Sequence, residues 1–348
     1  MKRILVLYRE LAGYFVQCIN HLCDEYNMEA DIIAYPVHAD APFQFSFSPR
    51  VKVFNRNDFD EESLVLKIEH ENYDLIFVGG WADKTYLNAL KRNSAVNSLL
   101  GFDTWYNGSL KQRMSAIYAQ LKITPYFNVA FVPGAPQKQL ALMMGFKENE
   151  IITGAYSCDT VKFSMLYESR LQQPPHSLKQ LMYAGRYAPE KFIDELQQVF
   201  IEVVNEGEHH WQLLCVGTGP LFENRKHHQS IRHLGFLQPH QLQEAMKTAD
   251  AFVLPSTFEP WGVVVHEFAA AGFPLVLSDN VGASEVFLEH EKSGFAFRSG
   301  DKHDLKQKLK MLFSKSDEEL QVMGNKSHHL AQTITPDTWA KSLYQLMQ

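Results

Sequence analysis

The sequence is poor in cysteine and lacks any long apolar run. Its 348 residues include four cysteines, which are scattered and form no CxxC pair; this favours reduced thiols in a cytosolic protein. No stretch of about 18 apolar residues is present, so no transmembrane helix is expected. The first residues form a short apolar run without the pattern of a signal peptide. We therefore expect a cytoplasmic chain, with the inner face of a membrane as an alternative location.

The chain also lacks an excess of positive charge. Its formal net charge is −7 and its pI is about 6.1, which argues against a general nucleic-acid binder. A composition of 45% hydrophobic and 21% charged residues is that of an ordinary globular protein. The length is too great for one ordinary α/β domain and suits two.

Short apolar runs alternate along the chain with longer amphipathic segments. Runs that are apolar throughout predict strands buried on both faces, and their alternation with helices predicts parallel sheets. The N-terminal runs are RILVLY (3–8), ADIIAYP (30–36), DLIFVGG (74–80), NSLLGFD (97–103), NVAFVPG (128–134) and EIITGAY (150–156). The C-terminal runs are QLMYAGR (180–186), WQLLCVGTG (211–219), IRHLGFL (231–237), DAFVLPS (250–256), PLVLSDN (274–280) and GFAF (294–297).

The alternation stops near residues 157–177, and the polar segment SRLQQPPHSLK (169–179), which contains two prolines, predicts a linker. We expect two doubly wound Rossmann-like domains of similar size. The first covers residues 1–158 together with a C-terminal helix, 336–348, and the second covers residues 159–335. Such a pair leaves a cleft between the carboxyl ends of its strands, where ligands bind.

The segment STFEPWGVVVHEFAAAG (256–272) follows a predicted buried strand and places two acids around a helix start. Glu259 lies in the loop before the helix, and Glu267 lies inside it. The free N–H groups at residues 262–264 form an anion site. Carboxylates accept hydrogen bonds from sugar hydroxyls while the amides bind phosphate, so the combined ligand would be a nucleotide sugar. The alternative, a capping Glu259 and a solvated Glu267, stays open.

The segment YAGRYAPEKF supplies two cations at a predicted strand end. Arg186 follows the strand directly. Pro189 suits the first turn of the next helix, which puts Lys191 in that turn. Together, Arg186 and Lys191 can neutralise a diphosphate. Two solvated surface cations are the open alternative.

Glycines follow two further strands. In CVGTGP, Gly217 and Gly219 allow close approach of a backbone. A dinucleotide fingerprint needs a third glycine where Phe222 stands, so that cofactor is excluded. Gly235 lies near the end of the strand IRHLGF, and the turn SDNVGASEVF leads into a helix with Glu285 in its first turn.

These elements, in this order, resemble the C-terminal half of a retaining GT-B glycosyltransferase, the family 4 type of glycosyl transferases group 1. The resemblance covers roughly residues 180–298, and the terminal helix TPDTWAKSLYQLM, with Trp339 as its anchor, is a further match. It implies an α/β protein whose two Rossmann-like domains face each other across a cleft. The N-terminal domain would bind the acceptor, and the C-terminal domain would bind the nucleotide-sugar donor.

The resemblance also implies roles for particular residues. Glu259 would act in catalysis on the donor sugar, Glu267 would bind the ribose, and Arg186 and Lys191 would bind the diphosphate. The remaining donor-binding residues that we expect are Gly217, Gly235, Gly262 and Val263. The implied reaction moves a hexose-type sugar from a nucleoside diphosphate sugar to an acceptor hydroxyl, in surface polysaccharide or glycolipid synthesis. It needs no metal ion and no cofactor.

The N-terminal half departs from the family pattern. The Gly-rich loop after the first strand is reduced to Gly13, and Asp103 stands near the position where the family often has a histidine. We retain Asp103 as a candidate base or acceptor ligand, with a helix cap for SLKQRM as the alternative. Trp81 is a candidate for stacking on carbohydrate or for packing. The DFD sequence at 58–60 resembles a metal motif, but it precedes a helix and is expected to cap it.

Cations in SLKQRMSAIYAQLK could contact an anionic membrane or a lipid-linked acceptor; the alternative is a solvated face, which is more common for such charges. The expected partners are therefore a nucleotide-sugar donor and a carbohydrate or lipid-linked acceptor, with peripheral membrane contact unresolved and no nucleic acid. Two further functions stay open: a nucleotide-sugar epimerase or phosphorylase on the same fold, and a non-catalytic nucleotide-sugar binding protein. The intact acids and cations favour the transferase.

Overall fold

A computed structural model describes residues 1–36, 44–93, 95–207 and 210–348 of the chain. It divides into two compact units. The N-terminal unit comprises Met1–Asp159 and Ile334–Gln348, and the C-terminal unit comprises Thr160–Thr333. Each unit contains one parallel sheet flanked by helices.

The N-terminal unit is built on a seven-stranded sheet in the order β3-β2-β1-β4-β5-β6-β7. The strands are β1 (Arg3–Tyr8), β2 (Glu29–Ala34), β3 (Val51–Asn55), β4 (Leu75–Gly79), β5 (Ser98–Gly101), β6 (Val129–Val132) and β7 (Ile151–Thr153). The helices between them are α1 (Gly13–Glu25), α2 (Glu61–Glu71), α3 (Lys84–Arg92), α4 (Leu110–Lys122) and α5 (Ala135–Met143). The chain winds outward from β1 to β3 and then resumes on the other side of β1, so the unit is doubly wound.

The C-terminal unit has a six-stranded sheet in the order β10-β9-β8-β11-β12-β13. Its strands are β8 (Lys179–Ala184), β9 (Trp211–Val216), β10 (Ile231–Gly235), β11 (Ala251–Leu254), β12 (Leu275–Ser278) and β13 (Gly294–Phe297). Its helices are α6 (Thr160–Leu171), α7 (Ile193–Glu206), α8 (Pro239–Met246), α9 (Val263–Ala270), α10 (Ser284–Phe287), α11 (Lys302–Phe313) and α12 (Asp317–Ala331). The predicted pair of doubly wound α/β units is confirmed.

The last helix, α13 (Pro336–Gln345), belongs to the N-terminal unit. Trp339 is buried there, and its Nε1 donates to the Ala155 carbonyl at 2.9 Å. Its ring lies against Phe15, Phe77 and Phe131, with centroid distances of 5.8, 6.5 and 5.9 Å. Trp339, which the sequence analysis predicts as the anchor of this helix, thus packs in the apolar core of the N-terminal unit.

Two elements were not predicted by the sequence analysis. Helix α6 lies within residues 157–177, where the sequence analysis predicts no helix, and it buries Thr160, Phe163 and Leu166. These positions recur every three residues, a helical spacing, but the exposed apolar side chains of Val161 and Met165 lie between them and obscure the pattern. The sequence analysis also missed β3, an edge strand in which only Val51 is buried. An edge strand needs no continuous apolar run because one side of it faces solvent.

No helix in the ranges given above is long and apolar enough to cross a bilayer.

Candidate functional site

The candidate site in the C-terminal unit lies at the carboxyl edge of its sheet, where the strand order reverses. The chain winds from β8 to β9 and β10 on one side and resumes with β11 on the other side of β8. Arg186 follows β8 by two residues, and the loop 255–262 follows β11. Open α/β sheets bind their ligands at such a switch point. The strand order therefore brings the predicted cations and the predicted Glu259 to neighbouring loops.

Hydrogen bonds join these two loops. The Thr257 backbone N–H donates to the Glu190 carbonyl at 2.8 Å, and the Thr257 hydroxyl donates to the same oxygen at 3.1 Å. The side chain of Arg186 is 72% exposed, and its Nη2 lies 3.0 Å from Glu190 Oε1. Such an exposed pair contributes little to stability, so the guanidinium can exchange this carboxylate for an anionic ligand.

Lys191 and Glu259 form a direct ion pair. Lys191 ends a 3₁₀ turn, Pro189–Lys191, that precedes α7. Its Nζ contacts Glu259 Oε2, and the two side chains are only 16% and 15% exposed. The hydroxyl of the buried Ser256 lies 3.5 Å from the same carboxylate oxygen. Glu259 is therefore a partner of Lys191, and the alternative in which it caps α9 is wrong.

Helix α9 begins without a capping side chain among the described residues. Its N-cap is Gly262, which has a φ of +91°. A Cβ at this position would lie 3.0 Å from Glu259 Cγ, so the glycine lets the helix start close to the carboxylate. The backbone N–H groups of the first turn, which begins at Val263, carry the positive end of the helix dipole. A carboxylate, a cation and a helix start thus meet at two neighbouring loops, a combination suited to a ligand with both hydroxyls and phosphate.

Glu267 lies in the second turn of α9 and is partly buried. Burial raises the pKa of its carboxyl to about 7, and the charge of Lys162 on α6 opposes this shift. The alternative of a freely solvated Glu267 is therefore wrong. Near neutral pH the carboxyl can either accept or donate a hydrogen bond.

We expect this carboxyl to make the stability of the protein fall as the pH rises. Its pKa is about 7 in the folded protein against an ordinary 4.5, so the native state keeps a proton that the unfolded chain has lost. The free energy of unfolding then decreases between about pH 5 and about pH 8, by about 1–3 kcal/mol. Urea unfolding of wild type and Glu267→Gln at both pH values measures this. Because other titrating groups are common to both proteins, an equal pH dependence in the two would contradict the assignment.

Glycines bring the ends of β8, β9 and β10 together. The Gly217 N–H donates to the Gly235 carbonyl at 2.7 Å. Gly217 has a φ of +124°, and a Cβ there would lie 2.0 Å from the Gly185 carbonyl oxygen. Gly185 immediately precedes Arg186. The absence of a side chain at Gly217 therefore lets the loop after β9 lie directly against the strand end that carries the arginine.

Asp103 lies in the N-terminal unit, two residues after β5. It does not cap α4, because the N-cap is Ser109, whose side chain accepts from the Gln112 N–H. Asp103 instead lines a cavity of about 510 Å³ at the carboxyl edge of the sheet. Trp81 lines the same cavity and packs edge-on against Phe102, with 5.3 Å between ring centroids.

The predicted helix cap at 58–60 is formed by Asp60, whose carboxylate accepts from the Ser63 N–H at the start of α2.

Three tyrosines that the sequence analysis missed line the cavity of Asp103: Tyr8, Tyr14 and Tyr156. The rings of Tyr14 and Tyr156 are 5.0 Å apart. The pKa of Tyr8 is raised to about 12, mainly by burial and to a smaller extent by the negative charge of Asp103. Burial likewise raises the pKa of Tyr14 and of Tyr156 well above the ordinary value, so all three hydroxyls are neutral donors and acceptors at physiological pH. Tyr8 ends β1 and Tyr156 follows β7, so attention to polar aromatics at strand ends could have identified these two.

Most of the C-terminal unit matches a known protein family. Residues 168–329 match the family described as "Glycosyl transferases group 1". An uncharacterized glycosyltransferase of Methanocaldococcus jannaschii, MJ1607, is 32% identical over 123 residues, which is 33% of this chain and 31% of that protein. The match thus spans less than a third of this relative's length. All the predicted donor-binding residues fall within 168–329.

Solved structures resemble the chain over its whole length. Sucrose-phosphate synthase from Thermosynechococcus elongatus has a TM-score of 0.73 at 15% identity, covering 99% of this chain and 98% of its own. Anabaena Alr3699/HepE, solved in complex with UDP and glucose, has a TM-score of 0.71 at 16% identity and covers 99% of each chain. At such identities the likeness shows the fold alone. The predicted GT-B fold is confirmed, and the resemblance to glycosyl transferases group 1 is confirmed by the match in the C-terminal unit.

Proposed function

We propose that this chain, which has the GT-B fold and a C-terminal unit matching glycosyl transferases group 1, is a retaining hexosyltransferase of the family 4 type. It moves a sugar from a nucleoside diphosphate donor to an acceptor hydroxyl in surface polysaccharide or glycolipid synthesis. The observation that carries the proposal is the shielded Lys191–Glu259 pair at the switch point of the C-terminal sheet. It supplies both a cation for phosphate and a carboxylate for sugar hydroxyls.

The donor would use the charges of the C-terminal unit as follows. Arg186, Lys191 and the start of α9 would neutralise the diphosphate as it leaves. Glu259 would accept hydrogen bonds from the sugar hydroxyls, and Glu267 would bind the ribose. The Anabaena neighbour, solved with UDP and glucose, supports a nucleoside diphosphate hexose as the class of donor. Because side chains and the helix start supply the positive charge, we propose that transfer needs no metal ion and persists in EDTA.

In the proposed reaction, the bond between the anomeric carbon and the diphosphate oxygen breaks, and its electron pair stays with the diphosphate. The acceptor oxygen attacks from the face that the diphosphate leaves, which retains the configuration. The departing phosphate oxygen takes the acceptor proton. We assign Asp103 and the tyrosine hydroxyls around it to the acceptor, because this cavity in the N-terminal unit combines a carboxylate with neutral donors.

Nucleoside diphosphates are expected to raise the melting temperature of the wild type in EDTA, with one base preferred. A ligand at a hundredfold excess over its Kd stabilises the native state by about 2.7 kcal/mol. The shift should be lost in Arg186→Ala. Lys292→Ala is the matched control. Like Arg186, Lys292 is highly exposed (73%) and pairs with a nearby glutamate, Glu289. It precedes β13, however, and so lies at the amino ends of the strands, away from the candidate site.

The panel separates the proposed functions. A shift that survives in Lys292→Ala and disappears in Arg186→Ala supports the donor site. No shift with any diphosphate, in protein that melts cooperatively, contradicts a nucleotide-sugar enzyme. Binding of the nucleotide sugar without transfer to sugar or lipid acceptors would indicate a non-catalytic binding protein instead.

A further inference from the structure

Helix α4 exposes an apolar stripe. Five large side chains on it are between 60% and 73% exposed: Leu110, Met114, Ile117, Tyr118 and Leu121. Their spacing places them on one face of the helix. The opposite face is buried through Ala116 and Ala119. In the ranges that the structure describes, no other helix exposes more than three large apolar side chains.

Cations border this stripe on both sides. At about 100° per residue, Lys111 and Lys122 fall along one border and Arg113 falls along the other. The helix sequence, LKQRMSAIYAQLK, contains no acid. The helix is thus cationic, although the formal net charge of the whole chain is −7. The surface thus combines apolar and cationic character, with no carboxylate on the helix to repel an anion.

We propose that this face of α4 docks on the surface of an anionic lipid bilayer. A helix lying in the bilayer interface buries an apolar stripe among the acyl chains and holds flanking Lys and Arg at the headgroups. Tyr118 suits the same interface, because its ring is apolar and its hydroxyl is polar. A second copy of this chain is a poorer occupant, since a two-fold contact through α4 would bring identical cations together.

Docking would also orient the cavity of Asp103. Helix α4 is tied to the loop after β5, because Gln112 Nε2 donates to the Trp105 carbonyl at 2.7 Å and Gln112 Oε1 accepts from the Asn107 N–H at 2.7 Å. That loop carries Asp103. For the glycosyltransferase proposed above, docking therefore favours an acceptor carried by a lipid. This last step rests on the proposed function, whereas the docking itself does not.

The test is flotation of the purified chain with vesicles, in the absence of any donor. The wild type should float with vesicles of equimolar phosphatidylcholine and phosphatidylglycerol, and much less with phosphatidylcholine alone or in high salt. Replacing Lys111, Arg113 and Lys122 with glutamine should weaken partitioning by about 100-fold, as expected for about 1 kcal/mol per charge. The triple variant Met114→Gln, Ile117→Gln, Leu121→Gln should weaken it by about tenfold for each side chain that enters the interface.

A matched control separates this stripe from general surface hydrophobicity. Val161, Met165 and Val322, in the C-terminal unit, are 64%, 64% and 65% exposed, close to the 65%, 60% and 68% of the three stripe residues. Their replacement with glutamine should leave flotation unchanged. The proposal is overturned if the wild type floats with neither vesicle, or if the stripe triple variant floats as well as this control.

Two further measurements, the oligomeric state and the nucleotide-dependent melting shift, distinguish the remaining explanations. If the wild type elutes as a dimer in size exclusion and the stripe variant as a monomer, the face is an interface between copies, and the proposal fails. The nucleotide-dependent melting shift should be the same in wild type and in the stripe variant, which shows that the variant is folded. Failure of the donor site would abolish that shift without affecting flotation, so the two proposals fail separately.

Discussion

Replacing Lys191 with methionine is expected to lower the transfer rate at least about 100-fold. The change removes a cation from the leaving diphosphate, and removal of one such electrostatic contact costs about 10²–10³ in rate. It also leaves Glu259, a side chain only 15% exposed, without its partner. A buried charge without its partner is strongly destabilising, and we expect a loss of about 1–3 kcal/mol because some solvent remains. Methionine keeps the apolar stem of the lysine, which limits the loss of packing.

A double-mutant cycle separates stability from catalysis at this pair. The double variant Lys191→Met with Glu259→Gln should recover stability, since no unpaired charge remains, but it should not recover the transfer rate. Lys179→Met is the matched control. Lys179 is the first residue of β8 and pairs with Asp317, and the two side chains are 19% and 45% exposed. Its replacement is expected to leave the transfer rate unchanged. Full activity in Lys191→Met would exclude a role for this cation in the reaction.

The central strands could be predicted because they are buried on both faces. The predicted runs 3–8 and 294–297 agree with β1 and β13 at both ends. Such strands are apolar at every position, which distinguishes them from amphipathic helices of greater length. The edge strand β3 gave no such signal. Helix α6 was missed because only its spacing, and not its composition, indicates a helix.

The positions of the site residues could be predicted, but not their partners. Arg186 and Gly217 follow parallel strands and Gly235 ends one, and the carboxyl ends of such strands share one edge of the sheet. The pairing of Lys191 with Glu259 joins residues 68 apart and depends on β11 lying next to β8. Strand order follows from the packing of the whole unit, so no local pattern reveals it. The raised pKa of Glu267 likewise depends on burial that no local pattern shows.

The second large effect is expected at Gly217, where alanine should lower the free energy of unfolding by about 3 kcal/mol or more. The new Cβ would lie 2.0 Å from the Gly185 carbonyl oxygen, a backbone atom that cannot rotate away. The φ of +124° adds strain for any residue with a side chain. Displacing this loop would also move the backbone that precedes Arg186, so nucleotide binding should weaken as well. Denaturant unfolding followed by circular dichroism measures the loss.

Gly235→Ala is the matched control, because Gly235 is the hydrogen-bond partner of Gly217 and has a φ of +69°, but a Cβ there meets no atom within 4 Å. Its cost should be about 1 kcal/mol, that of backbone strain alone. Equal unfolding midpoints for the two variants would contradict close packing at Gly185. The comparison also tests why Gly217 is a glycine. The family resemblance implies a donor-binding role for Gly217, whereas the contact with Gly185 requires a glycine before any ligand binds. Only the second reason predicts a loss of stability in the free protein.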